Sequence, residues 1–321
     1  MEDSKAIIYT YKLDGTGTGA VVDPSSPADD SGILWIHLNG RSPDAKKFLK
    51  DILRLDPMVA KALLAEETRP RMDEFEENAL IILRGIHYNP GTEPEDLVSI
   101  RLWLSKNKIV TIGRRKSKSI AEIHEKIMHQ RGPRKVGEFI SMLIGSLHDG
   151  IEPALRELEE TTDRLEEQSL DHPDPELRND IATIRKQAIL FRRHMTPQRD
   201  VVYRLQHSKQ DWMTEGDKWY MQDNFDRVSR HLEDLDAIRE RTQIVQDELH
   251  SALASKLNQN IYVLSMITVI FMPLTFLTGL FGINVEGIPG AHSPAAFIVF
   301  CFLLAGVTVM EILLFRKLKW L

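Results

Sequence analysis

The 321 residues carry a formal net charge of −6, and because three basic and two acidic residues lie beyond position 256, the part before it holds 38 basic and 45 acidic, a net of −7. That balance excludes nucleic acid as a natural partner, since phosphate binding wants a basic face; it suits plain solubility or a surface that gathers cations. The single cysteine, Cys301, excludes disulfides and a CxxC zinc site and reads as packing within an apolar segment.

Met1 to Thr10 has no apolar signal core, so nothing is expected to be cleaved or secreted. Ala6 to Leu13 and Ile33 to Leu38 are β-prone runs bounded by the turn signals Asp14-Gly15 and Asn39-Gly40. Between them Gly15-Thr16-Gly17-Thr18-Gly19 lacks the Lys-Ser/Thr of a phosphate loop and reads as a turn. Ser42 can cap a helix to about Leu55, and Asp56-Pro57 can start another to about Glu66. Ala79 to Tyr88, Leu97 to Ser105 and Ile109 to Ile112 read as strands, with antiparallel pairing the simplest expectation. His37 and His87 fall on these strands and read as packed rather than liganded.

Beyond Ser117 the chain turns helical and strongly charged. Helices are expected from Gly137 to about Gln168, from Pro175 to about Gln206, and from near Glu215 onward. In the last of these Phe225, Val228, Leu232, Leu235, Ile238, Thr242, Val245, Leu249 and Leu253 step by three and four, a heptad-like seam. No stop signal follows until Pro273, so one helix from about 215 to 282, on the order of 100 Å, is the economical reading.

From Leu257 to Val285 there are 29 residues without a formal charge, and a bilayer core needs only about 20. A second uncharged run spans Ser293 to Met310, reaching Phe315 if Glu311 sits near an end. The expected spans are about 257–283 and 294–315. Arg316, Lys317 and Lys319 crowd just past the second span, Trp320 is placed at the interface, and the loop from Val285 to Pro294 has no Lys or Arg. Both termini are therefore expected in the cytoplasm and the loop outside. The expected fold class is an α+β cytoplasmic domain (1–130), a long helical stalk (131–256) and a C-terminal two-helix transmembrane hairpin (257–321).

A hairpin alone encloses too little to carry a solute, so any path needs several copies. Gly282, Gly279, Thr275, Met272, Thr268, Ser265, Ile261 and Asn258 fall on one stripe of the first span, which gathers most of its small and polar residues; Tyr262 and Thr278 lie off it. The stripe fits a wet path, or alternatively a close helix contact, where small residues also collect. With no Asp, Glu, His or Cys on it, its hydroxyl and amide groups would meet an ion through its water shell. Met272 and Ile261 would make apolar constrictions able to gate by dewetting, and Pro273 can loosen the helix there.

Gly282-Ile283-Asn284 after Pro273-Leu274-Thr275-Phe276, in a C-terminal hairpin behind a long helix, resembles the CorA superfamily of divalent-cation transporters. Gly-Ile-Asn-Val with Gly287-Ile288-Pro289-Gly290 is similar to its zinc-transporting ZntB branch. The resemblance implies a homopentameric funnel in a prokaryotic inner membrane, with membrane lipid, divalent cations and its own copies as partners. It implies a pore lined by the first span, an Asn284 ring at the outer mouth, Zn²⁺ as cargo (Mg²⁺ as the alternative), and no tightly bound cofactor. Uptake coupled to protons and efflux have both been proposed in that branch. Glu286 departs from it: a small residue is expected there, whereas the magnesium branch commonly has an acid.

For a metal in the soluble part, Glu159, Asp163 and Glu166 share one helix face and His231 and Asp234 another, which zinc chemistry allows but solvated helices also produce. The acidic run Glu157 to Glu167 is the best soluble candidate for a cation-attracting patch. No nucleophile–base or paired-carboxylate constellation stands out, so no enzyme is expected. A non-conducting membrane-anchored scaffold or sensor would explain the seam but not the polar stripe.

Overall fold

The computed structural model describes residues 6–24, 32–66, 68–86, 97–171, 173–283 and 293–318. It divides into two compact units, Met1–Asp247 and Glu248–Leu321.

Among the described residues of the first unit, seven strands form one sheet in the order β2-β1-β3-β7-β6-β5-β4. They are β1 (Ile7–Leu13), β2 (Gly19–Val21), β3 (Ile33–Asn39), β4 (Arg71–Glu74), β5 (Ala79–Ile86), β6 (Leu97–Ser105) and β7 (Lys108–Gly113). The expected antiparallel pairing holds for β5–β6 and β6–β7. In contrast β3 and β7 run parallel, Leu34 opposite Lys108 through Asn39 opposite Gly113, so the sheet is mixed. A parallel pair needs a long crossover between its strands, and here everything from α1 to β6 supplies it. The glycine-rich segment is the β1–β2 turn: Asp14 accepts from the Thr16 amide and hydroxyl at 2.8 Å, and Gly15 and Gly17 adopt φ of 81° and 103°.

One sheet face carries α1 (Pro43–Lys47), a π-helical turn Phe48–Ile52, and α2 (Pro57–Leu64). Asp56 caps α2 by accepting from the Met58 amide at 2.7 Å, while Ser42 makes no side-chain capping bond. Leu49, Val59 and Leu63 bury here against Ile36, Leu38, Val110 and Ile112. The opposite face packs Trp35, Ile81, Ile100 and Leu102 against α3 (Lys118–Met128) and α4 (Val136–Asp171). His37 is buried there, its Nδ1 2.9 Å from the Thr111 hydroxyl and its ring stacked on Tyr9, so it is a packed residue. His87 lies outside the described residues.

Two further long helices follow, α5 (Leu177–Gln206) and α6 (Glu215–Gly282). α6 opens on a reciprocal cap: the Thr214 amide donates to Asp217 at 2.9 Å while the Asp217 amide donates to the Thr214 hydroxyl at 3.3 Å. The seam is buried at Val228, Leu232, Leu235, Ile238, Thr242, Val245 and Leu249. Within the first unit, Arg192 on α5 pairs with Asp236, and Arg227 reaches Asp149 and Glu152 on α4. The long soluble part of α6 is thus tied to both neighbours by ion pairs flanking an apolar seam.

The second unit contains the end of α6 and α7 (Ala296–Lys317). Among the described residues these two helices are long and apolar enough to cross a membrane. Phe281 packs on Phe300 with ring centroids 5.3 Å apart, joining the two helices at their loop ends.

Candidate functional site

Exposure along the apolar half of α6 separates two faces. Met266, Ile270, Pro273, Leu274 and Leu277 are half-buried, and on α7 so are Ala296, Phe300, Leu304, Val307 and Thr308, with Glu311 and Phe315 buried. These spacings of three and four identify the faces that meet. Asn258, Ile261, Ser265, Thr268, Met272, Thr275, Gly279 and Gly282 are all exposed, and at 100° per residue they lie on the other side of α6. The polar stripe is therefore turned away from the second helix of its own hairpin, and a close contact within the hairpin does not explain it.

The stripe's chemistry is that of uncharged oxygen. Thr268 donates its hydroxyl hydrogen to the Leu264 carbonyl at 2.9 Å, which leaves its lone pairs to accept from water. Pro273, on the face toward α7, has no amide hydrogen, so the carbonyl of Val269 lacks its helical donor. No cysteine approaches it, since Cys301 is exposed on α7. Ile283 is exposed at the end of α6; Asn284 and Glu286 lie outside the described residues.

The soluble candidates do not converge. Asp163 and Glu166 both accept from Arg241 on α6, whose pKa is raised by those two partners. Glu159 is exposed. On α6, burial lowers the pKa of His231, with Arg227 adding to the effect, while Asp234 opposes it. Among the described residues no group of three or more His, Cys, Asp or Glu is placed to hold a metal ion. Asp163 and Glu166 of the acidic run thus tie α4 to α6, a role that helical spacing alone could not distinguish from ligation. One residue the sequence placed at a span end is instead buried inside the hairpin: Glu311, 8% exposed, with its Oε2 lacking a hydrogen bond among the described residues.

Comparison with known proteins accords with this arrangement. Residues 30–317 match the family described as CorA-like Mg²⁺ transporter protein. The divalent cation transporter CmaX of Pseudomonas aeruginosa is 34% identical over 99% of this chain and 98% of its own. The zinc transport protein ZntB of Pectobacterium atrosepticum is 35% identical over 98% of this chain and 96% of its own. The solved structure of full-length CmaX superposes with a TM-score of 0.85 at 34% identity, covering 99% of both chains.

Proposed function

This chain belongs to the CorA-like Mg²⁺ transporter family and is a divalent-cation transporter rather than an enzyme, and from that premise we propose that its cargo is zinc. Five copies of α6 surround an axial path in the inner membrane, with both termini in the cytoplasm and the connecting loop outside. Residues 1–130 and 131–256 form the cytoplasmic domain and stalk, and 257–321 the transmembrane hairpin. Asn284 and Ile283 stand at the outer mouth, where the amide meets the hydrated ion and Glu286 raises its local concentration. Below it Thr275, Thr268, Ser265 and Asn258 hydrogen-bond the ion's water shell, Gly279 leaves room for it, and Met272 and Ile261 gate by dewetting.

The observation that carries this reading is the exposed stripe on the side of α6 opposite α7. An uncharged stripe cannot replace the water shell of a bare divalent ion, so the ion crosses at least partly hydrated. Zinc is favoured by the Gly282-Ile283-Asn284 motif and by the zinc-named relative.

A second reading, a magnesium channel of the same architecture, is favoured by Glu286, because a ring of carboxylates at the mouth attracts Mg²⁺ as readily as Zn²⁺. Purified protein in vesicles decides between them. Zinc flux undisturbed by excess Mg²⁺ supports the first; Mg²⁺ flux that excess Zn²⁺ barely inhibits supports the second. Asn284→Ala with undiminished flux of either ion would remove the selective role of the mouth, and flux measured with and without a pH gradient tests proton coupling.

A further inference from the structure

A cation transporter with an acidic soluble part has little obvious use for concentrated positive charge, yet one cavity of the first unit is built from arginines. Its volume is about 370 Å³, and among the described residues it is lined by Arg41, Arg84, Arg101, Arg114 and Arg115, with Glu66 the one carboxylate. These residues come from one end of the sheet. β3 and β7 run parallel and finish side by side, Asn39 opposite Gly113, so Arg41 and the Arg114–Arg115 pair follow directly from their carboxyl ends. The Gly40 amide donates to the Gly113 carbonyl at 2.8 Å and fixes the two loops together. Arg101 on β6 and Arg84 on β5 reach the same end, and α2 closes it with Ala65 and Glu66. In open sheets the crevice beyond the carboxyl ends of parallel strands is where ligands settle.

Arg101 is the unusual member. It is 1% exposed, donates to the carbonyls of Ala65 at 2.6 Å, Glu66 at 3.2 Å and Ser99 at 3.3 Å, and makes no ion pair among the described residues. Its Nε is buried with no hydrogen-bond partner there. The carbonyls of Ala65 and Glu66, just past α2, answer part of this charge, but the Glu66 carboxylate is already taken by Arg114 at 2.7 Å. The local field is strongly positive: Arg101 has its pKa lowered to about 10 by burial, then by Arg114 and Arg84, and remains charged at neutral pH. Nearby His194 is pushed down to about 4 by burial, with Arg84, Arg193 and Arg69 adding to it. Of these arginines only Arg101 is fully buried, and a buried guanidinium without an ion pair among the described residues is unfavourable unless an anion joins it.

We propose that this cavity is a binding site for a phosphate-bearing anion, either inorganic phosphate or the phosphate end of a nucleotide. Guanidinium forks match phosphate oxygens in pairs, which lysines would not. The volume exceeds what a bare phosphate needs and falls at the low end of small-ligand pockets. Bound there, the anion links the loops after β3 and β7 to β5, β6 and the end of α2. The site shares no residue with the α6 stripe and does not depend on which cation the protein carries.

The test titrates purified full-length protein in detergent with inorganic phosphate, then with a metal-free nucleoside triphosphate, by calorimetry. Saturable binding is expected, weakened at least about tenfold in the double variant Arg41→Gln/Arg115→Gln, whose side chains are exposed at the rim. Lys46→Gln/Lys47→Gln removes the same charge from α1 outside the cavity and is expected to bind as the wild type does. A nucleotide about tenfold tighter than phosphate identifies the larger ligand, and equal affinities identify free phosphate. Glu67, Glu93, Glu95 and Asp96 lie outside the described residues, and a cavity filled by the protein's own carboxylates would show no binding. Absence of saturable binding at millimolar concentrations of both ligands, or equal weakening by the lysine control, overturns the proposal.

Discussion

Arg241 donates to the carboxylate of Asp163 at 2.7 Å, and the same guanidinium holds Glu166, so one side chain of α6 fastens two turns of α4. The pair is half-exposed, which limits its worth. Arg241→Gln is expected to cost about 0.5–1 kcal/mol, lowering the unfolding temperature by a few degrees. Zinc binding to the soluble part would be unchanged, because these carboxylates serve as an ion-pair clamp. Calorimetric scans of wild type and variant, with and without Zn²⁺, check both statements.

Stability should fall as the solution is acidified below neutral. Burial is the main cause that lowers the pKa of both His37 and His148 to about 4, against an ordinary value of 6.5. Between those values the unfolded chain binds protons that the folded chain refuses, so stability is full above about 6.5 and is lost progressively toward 4, at about 1.4 kcal/mol per pH unit per histidine. The Nδ1 of His148 lies 3.0 Å from Asn224 Oδ1, while its Nε2 is buried with no hydrogen-bond partner among the described residues. His148→Gln should flatten the dependence of unfolding temperature on pH between 7 and 5, whatever it does to stability at pH 7.

The stripe makes a position-specific prediction. Thr275→Leu, on the exposed side of α6, is expected to cut cation flux by about tenfold or more while oligomer size is unchanged, since it replaces an accepting oxygen with a dewetting surface. Thr308→Val on α7, where the hydroxyl donates only to the Leu304 carbonyl at 2.9 Å, should leave flux within about twofold. Equal effects at the two sites would mean that α6 does not line the path.

The start of the long helix offers a packing test. A Cβ on Gly137 would lie 2.2 Å from Asp217 Oδ2 and 2.8 Å from the Trp212 carbonyl, displacing the carboxylate that caps α6. Gly137→Ala is expected to cost about 1–3 kcal/mol from overpacking together with about 1 kcal/mol from the weakened cap. Thr214→Ala should lose only the second part, and thermal unfolding of the two variants separates them.

Local chemistry was enough for much of this protein. The uncharged runs marked the two long apolar helices because lipid admits few charges, and alternating β-branched stretches located β1, β3, β5, β6 and β7 to within a residue or two at the ends the structure describes. The helix expected from near Glu215 starts there, and the three-and-four stepping picked out its buried seam and its exposed polar stripe. The edge strands β2 and β4, only three and four residues long, carried too little pattern to be read.

Other features exist only once distant segments meet. The parallel register of β3 and β7 depends on how some seventy intervening residues cross over, and no local propensity encodes strand direction. Asp163 and Glu166 look like metal ligands on an isolated helix, and Arg241, 75 to 78 residues away, makes them a clamp. The arginine cavity is likewise invisible in the linear order, because its charges are scattered from Arg41 to Arg115 and only the convergence of loops and strand ends at one end of the sheet brings them together. Composition and period govern what each segment becomes by itself; electrostatic partnership is a property of distances that folding alone creates.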